Sequence, residues 1–246
     1  MYRFAILITF IIIFCSCSRD EIIIPEYQSK IVVDGWIEEG EVTKVILTYS
    51  SSYFSEIDSF NIFDFVDARA KITVSDGETE EILTLQKVDK YFPPFVYSGQ
   101  KIKGTSGKTY TLTIDQPPFL LTAVSTIPAT PIIDSVWFEF KANPDTLGTP
   151  FIVLKDNPEI KNYYRVLTRR YGIDKRFVPA LAPNFSDAIF KDELIHYQVF
   201  KSSDFEIIKD EEIHFNRGDS IFIKVLSMEK DVFEYWSTFY NEQFNS

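Results

Sequence analysis

Apolar and polar residues alternate with a period of two over several separate stretches of this chain. Ala70, Ile72 and Val74 interleave with Lys71, Thr73 and Ser75, and Tyr110, Leu112 and Ile114 share one face of segment 108–114 while threonines take the other. Val136, Phe138 and Phe140 alternate in the same way with Trp137, Glu139 and Lys141. Such a period sets one face on a core and the other in water, which predicts half-buried strands. Segments 30–37 (kinked at Gly35), 42–49, 82–85, 119–127, 151–154, 195–201 and 220–226 are rich in β-branched and aromatic residues and predict further strands. In segment 162–168, Tyr164 and Val166 fall on one face and Tyr163, Arg165 and Leu167 on the other. Turn-forming groups separate these segments at Asp76-Gly77, Ser106-Gly107, Asp156-Asn157-Pro158 and Arg217-Gly218-Asp219. Segment 171–194 carries Pro179 and Pro183 without a clear period and is read as loop.

Only one stretch follows the 3.6-residue period. Val232, Trp236, Phe239 and Tyr240 recur at spacings of three and four, flanked by Phe233 and Phe244, and predict an amphipathic helix over about 228–244 that packs on a sheet. Glu229 and Asp231 fall in its first turn, where the helix dipole favours negative charge, and Ser227 is placed to cap it. The predicted fold is therefore mainly β. It consists of two β-sandwich domains, immunoglobulin/fibronectin-like or transthyretin-like, at 29–127 and 133–246, with one C-terminal helix. The prolines of segment 128–132 make a short stiff linker between them.

Two loops of the first domain are unusually aromatic. Segment 50–67 carries Tyr53, Phe54, Phe60, Phe63 and Phe65, and segment 91–97 carries Tyr91, Phe92, Phe95 and Tyr97. Long loops of this kind are often functional, so Tyr53, Phe54, Phe60, Phe63, Tyr91, Phe92 and Phe95 are candidate partner or ligand contacts. The alternative is that these rings fold back to cap the ends of the sandwich.

The N-terminus has a different character. Arg3 precedes a nearly unbroken apolar run, 4–14, and Ser16 stands before Cys17, the arrangement of a secretory leader. That run is too short to span ~30 Å of hydrocarbon, which takes about 20 residues, so cleavage is expected; an uncleaved signal anchor is the alternative. Phe14-Cys15-Ser16-Cys17 resembles a bacterial lipoprotein box. The resemblance implies a signal peptide at 1–16, acylation of Cys17 and an acylated tether at 17–28. Cys15 is the weaker candidate because its use would require cleavage after the bulky Phe14. Segment 18–21, Ser-Arg-Asp-Glu, is similar to the acidic tag that sends lipoproteins to the outer face of the outer membrane, and equally reads as a solvated charged tether. Two acyl chains suffice for stable anchoring.

Both cysteines lie in this leader region, so the mature chain has no disulfide. With 45% apolar residues the folded body is stabilised by its core alone. The 36 acidic against 25 basic residues give a net charge of −11, which disfavours nucleic acid and anionic lipid headgroups as partners. Chemistry is sparse. The two histidines, His196 and His214, sit on the polar phase of strand-like segments, and no metalloprotease, nucleophile-elbow, phosphate-loop or dinucleotide motif occurs. The run Asp204, Asp210, Glu211 and Glu212 reads as a solvated loop; calcium binding at Asp156-Asn157 or around Asp64 and Asp67 is an open alternative, without EF-hand spacing. No catalytic residue, metal ligand or cofactor is assigned.

Several phrases carry a resemblance: Ile31-Val-Val-Asp-Gly-Trp-Ile37, Gly107-Lys-Thr-Tyr-Thr-Leu-Thr-Ile114, Lys155-Asp-Asn-Pro, Asn162-Tyr-Tyr-Arg165, Ser186-Asp187, and Gly218-Asp-Ser followed by Leu-Ser-Met-Glu-Lys-Asp-Val-Phe-Glu-Tyr-Trp236. Together they resemble the family catalogued as domain of unknown function 4249. The resemblance implies an outer-membrane lipoprotein of Gram-negative bacteria, commonly encoded beside TonB-dependent receptors, with no established biochemical activity. It also implies a further segment beyond the helix, which this sequence does not show. The resulting expectation is a lipid-anchored, non-enzymatic accessory or ligand-capturing partner of a TonB-dependent receptor, at the cell surface or else on the periplasmic leaflet. A surface hydrolase of glycan or peptide using paired carboxylates is one alternative, and a structural or adhesion module is another.

Overall fold

The period-2 segments form strands. The computed structural model describes residues 27–52, 62–142, 145–190, 193–202 and 213–245. Its first eight strands are β1 (Ile31–Trp36), β2 (Val42–Tyr49), β3 (Lys71–Ser75), β4 (Glu80–Ile82), β5 (Thr84–Lys87), β6 (Phe95–Lys103), β7 (Thr109–Gln116) and β8 (Phe119–Thr126). They build two antiparallel sheets, ordered β1-β2-β6-β5 and β4-β3-β7-β8. Val45, Leu47 and Tyr97 of the first sheet meet Ile72, Val74, Tyr110 and Ile114 of the second in one buried cluster, the interdigitated inner faces of a sandwich. At Asp76-Gly77 the β3–β4 hairpin turns with Gly77 at φ +88°, a backbone region that glycine enters without steric cost.

Two features of this half depart from the period-based reading. Segment 82–85 is not one strand: the chain changes sheets at buried Leu83, whose N–H still donates to the Ile72 carbonyl at 2.8 Å. Strand β6, central in its sheet, lies largely outside the predicted strands, and Phe95 begins it instead of sitting in a loop. The alternation fails there because β6 bulges. Its pairing with β2 jumps from Lys44↔Ser98 to Val42↔Lys103, so extra residues of β6 have no partner on β2. The N–H groups of Gln100, Lys101 and Ile102 are instead accepted by the buried Glu81 carboxylate, at 2.5 to 3.1 Å.

The second half contains β9 (Ile132–Phe140), β10 (Leu147–Lys155), β11 (Tyr163–Arg170), β12 (Val178–Ser186), β13 (Leu194–Gln198), β14 (Phe215–Asn216) and β15 (Ile221–Ser227). Strand β10 pairs with β9 along one edge and with β13 and then β14 along the other. A second sheet, β12-β11-β15, faces it across a core of Ile152, Leu154 and Ile195 against Tyr164, Val166 and Phe185. Strand β12 corrects the loop reading of 171–194. It is an edge strand, where a proline's missing N–H costs no ladder bond. Its register shifts opposite Arg165 and Leu167, and Ala182 within the irregularity sits at φ +52°.

The helix α1 (Lys230–Asn245) forms as the spacing predicts, but its start and its facing differ. Ser227 is the last residue of β15, opposite Tyr164, and is thus part of a strand. Phe233 packs on Tyr163 with ring centres 4.8 Å apart, and Trp236 and Tyr240 flank Arg165. Val232 and Phe239, expected in the buried stripe, are exposed, because the helix meets a narrow three-strand face through Tyr163 and Arg165. Carboxylates tie the two sandwiches together. Glu229 accepts from the N–H of Thr126 at 2.9 Å and from the Ser125 hydroxyl, and Lys224 pairs with Glu38; Thr130, in the segment between the sandwiches, donates its hydroxyl to Glu39 of the first.

Candidate ligand-binding cleft

Strand β2 of one sheet ends at Tyr49 and β7 of the facing sheet ends at Gln116, and both residues line one cleft with the chain that enters β3. Ile62–Phe65 makes one 3₁₀ turn, Val66 bridges to Thr48, and the Asp67 N–H donates to the Leu47 carbonyl at 3.0 Å. This pins 62–69 against the end of the sandwich and leaves a cleft of about 380 Å³. Tyr49, Asp67 and Gln116 lie at its base, and Phe63, Asp64 and Arg69 belong to its rim.

Asp67 organises the base. Only 3% exposed, its carboxylate accepts the Tyr49 hydroxyl at 2.6 Å and the Arg69 N–H at 3.0 Å, and its carbonyl accepts the Tyr97 hydroxyl at 3.0 Å. Donating to that carboxylate pushes the Tyr49 phenol above its ordinary pKa; burial adds to the rise and the Gln116 side chain opposes it. Tyr49 therefore stays a neutral hydroxyl, fixed as a donor and unsuited to act as a base. The rim is less committed. Among the described residues, neither the Asp64 carboxylate nor the Arg69 guanidinium is taken up in an ion pair, and both side chains are exposed.

The aromatic residues singled out from the sequence fall into three groups. Phe63 and Phe95 come together edge to face, ring centres 5.4 Å apart at 69°, with Phe63 53% exposed beside the cleft. Phe95 shares the inward parity of Tyr97 on β6 and so fixes Phe63 to the end of the core. Tyr91 instead folds against Trp36 at 5.5 Å with the Lys90 ammonium over its ring, as the capping alternative has it, while Phe92 stands 72% exposed. Tyr53, Phe54, Phe60 and the lipidation candidate Cys17 lie outside the described residues, as does the acidic run 204–212.

Sequence reasoning did not select Tyr49, Arg69 or Gln116. They end or flank strands, and no spacing marks them; Asp67 was visible only as an acidic residue in a long loop. Among the described residues no group of three His, Cys, Asp or Glu side chains is placed to hold a metal ion. His196 is exposed near Trp137, at 6.4 Å, as the strand phase predicts. His214 is not: it is 8% exposed and packs edge-on against Phe200 at 5.6 Å, because it leads into the short strand β14 beside the fully buried Phe215.

No curated protein matches this chain in sequence. The model of a family described as a domain of unknown function, DUF4249, matches residues 20–246, nearly the whole length beyond the apolar N-terminal run, and the chain belongs to that family.

Proposed function

We propose that the protein is a lipid-anchored envelope protein that captures a small ligand at the Phe63 cleft and serves as an accessory to a TonB-dependent outer-membrane receptor. The observation that supports capture is the pairing of a half-exposed, braced aromatic ring with a rigid polar base: Phe63 held by Phe95, beside Tyr49 held by Asp67. The cleft's volume falls within the ~300–1,000 Å³ range of small-ligand sites, and its lining is more polar than is usual for them, which favours a ligand rich in hydrogen-bonding groups. The anchor rests on the leader at 1–16 and on Cys17 directly after it, and the cell-surface face on the acidic residues that follow. Exposed Phe92, on a loop of the same sandwich, is the proposed contact with the receptor.

Two measurements test this reading. Fractionation of a Cys17→Ser variant is expected to move the protein out of the membrane fraction; an unchanged membrane fraction contradicts the anchor. Co-purification of the wild-type protein from mildly solubilised envelopes is expected to bring down a TonB-dependent barrel in near-stoichiometric amount. Its absence contradicts the partnership.

A further inference from the structure

We infer that the cleft takes a neutral saccharide, with a sugar ring laid on Phe63 and its hydroxyls shared between the rim charges and Gln116. The inference deepens the capture reading and rests on it. Phe63 offers apolar surface to a ligand, because it is steadied by a T-shaped contact with Phe95 and yet remains 53% exposed. Around that surface stand Asp64, an acceptor with two oxygens, Arg69, a fork of donors, and Gln116, which offers both an acceptor and donors.

The charge pattern narrows the ligand class. A simple anion attracted by Arg69 meets Asp64 and buried Asp67, and a simple cation attracted by the carboxylates meets Arg69. A neutral ring that carries hydroxyls on its edge and C–H groups on its faces satisfies donors and acceptors together without carrying charge into the cleft. It also covers Phe63 with apolar contact. The base is preorganised, since Tyr49 and Asp67 already satisfy one another and need not rearrange on binding. A zwitterionic peptide end would use the two rim charges, and it is the competing class.

The test is calorimetric titration of the full chain, in detergent, with neutral trisaccharides of glucose, xylose and N-acetylglucosamine, and with trialanine as the peptide probe. At least one trisaccharide is expected to bind. Phe63→Ala and Arg69→Gln are each expected to weaken that binding about tenfold or more, equivalent to about 1.4 kcal/mol. Both side chains are exposed, so the unfolding midpoint is expected to stay near that of the wild type; Asp64→Asn, equally exposed, serves if either variant fails to fold. Absence of trisaccharide binding, or binding insensitive to these substitutions, overturns the inference. Trialanine binding that is lost in Phe63→Ala overturns the saccharide class while leaving the capture reading standing.

Discussion

Arg165 lies 3.8 Å above the ring of Trp236, 8% exposed, with its guanidinium donating to the Asn184 side chain and the Tyr240 hydroxyl at 3.2 and 3.4 Å. No carboxylate pairs with it among the described residues. The cation is held by an aromatic face and neutral acceptors, and this contact, with Tyr163 on Phe233, is what docks α1 on the outer face of the β12-β11-β15 sheet.

Arg165→Ala is therefore expected to destabilise the protein by about 2–3 kcal/mol, from the lost desolvated cation–π contact and the lost packing of the aliphatic stem. In urea unfolding, a double-mutant cycle of Arg165→Ala with Trp236→Ala should show about 1 kcal/mol or more of coupling. Additive losses would mean that the helix is held by other contacts.

Glu81 and Asp76 set the acid response. Burial raises the Glu81 pKa, but the N–H donors of Ile102, Gln100 and Lys101 more than reverse this, and the net shift is downward. Asp76 is lowered to about 2 by the Lys108 side chain, with backbone N–H groups of Thr79 and Glu78 assisting. Both folded values lie below the unfolded ones, roughly 4, so their stabilisation is complete above that pH and is lost as pH falls toward 2. Urea midpoints measured across that window should fall. Glu81→Gln should cost about 2 kcal/mol at neutral pH and flatten the decline, because a neutral amide serves the three donors poorly.

Two glycines separate steric from conformational demands. A Cβ on Gly104 would lie 2.1 Å from the Glu38 carbonyl oxygen and 2.7 Å from Ile127, so the backbone itself must shift. Gly104→Ala is expected to cost about 4 kcal/mol or more. Gly40, at φ +78° with open space around it, should cost only about 1–2 kcal/mol as alanine, from the left-handed backbone alone. Equal losses in chemical denaturation would contradict this assignment.

Much of the fold was legible in the sequence because most strands have one wet face. Segments 70–75 and 108–114 announce themselves through threonines and lysines opposite a core of Ile72, Val74, Tyr110 and Ile114. Period reasoning fails where the backbone leaves the ladder. At β6 the donors go to a distant glutamate side chain, and at β12 prolines occupy an edge strand, so neither segment keeps its alternation. The helix was visible, but which of its apolar residues face the sheet depends on where Arg165 stands, and a single helix does not encode that. The cleft was legible only in part. Aromatic loops marked Phe63 and Phe95, whereas Tyr49, Arg69 and Gln116 converge because β2 of one sheet faces the paired β3 and β7 of the other, at sequence distances that no local pattern spans.

The most direct measurement of the central claim is native mass spectrometry of the full chain purified from its own envelope. A small molecule is expected bound one to one in the wild-type protein, and lost from Phe63→Ala and Arg69→Gln proteins that remain folded. The same bound mass in all three proteins, or no bound mass in any, would contradict capture at this cleft.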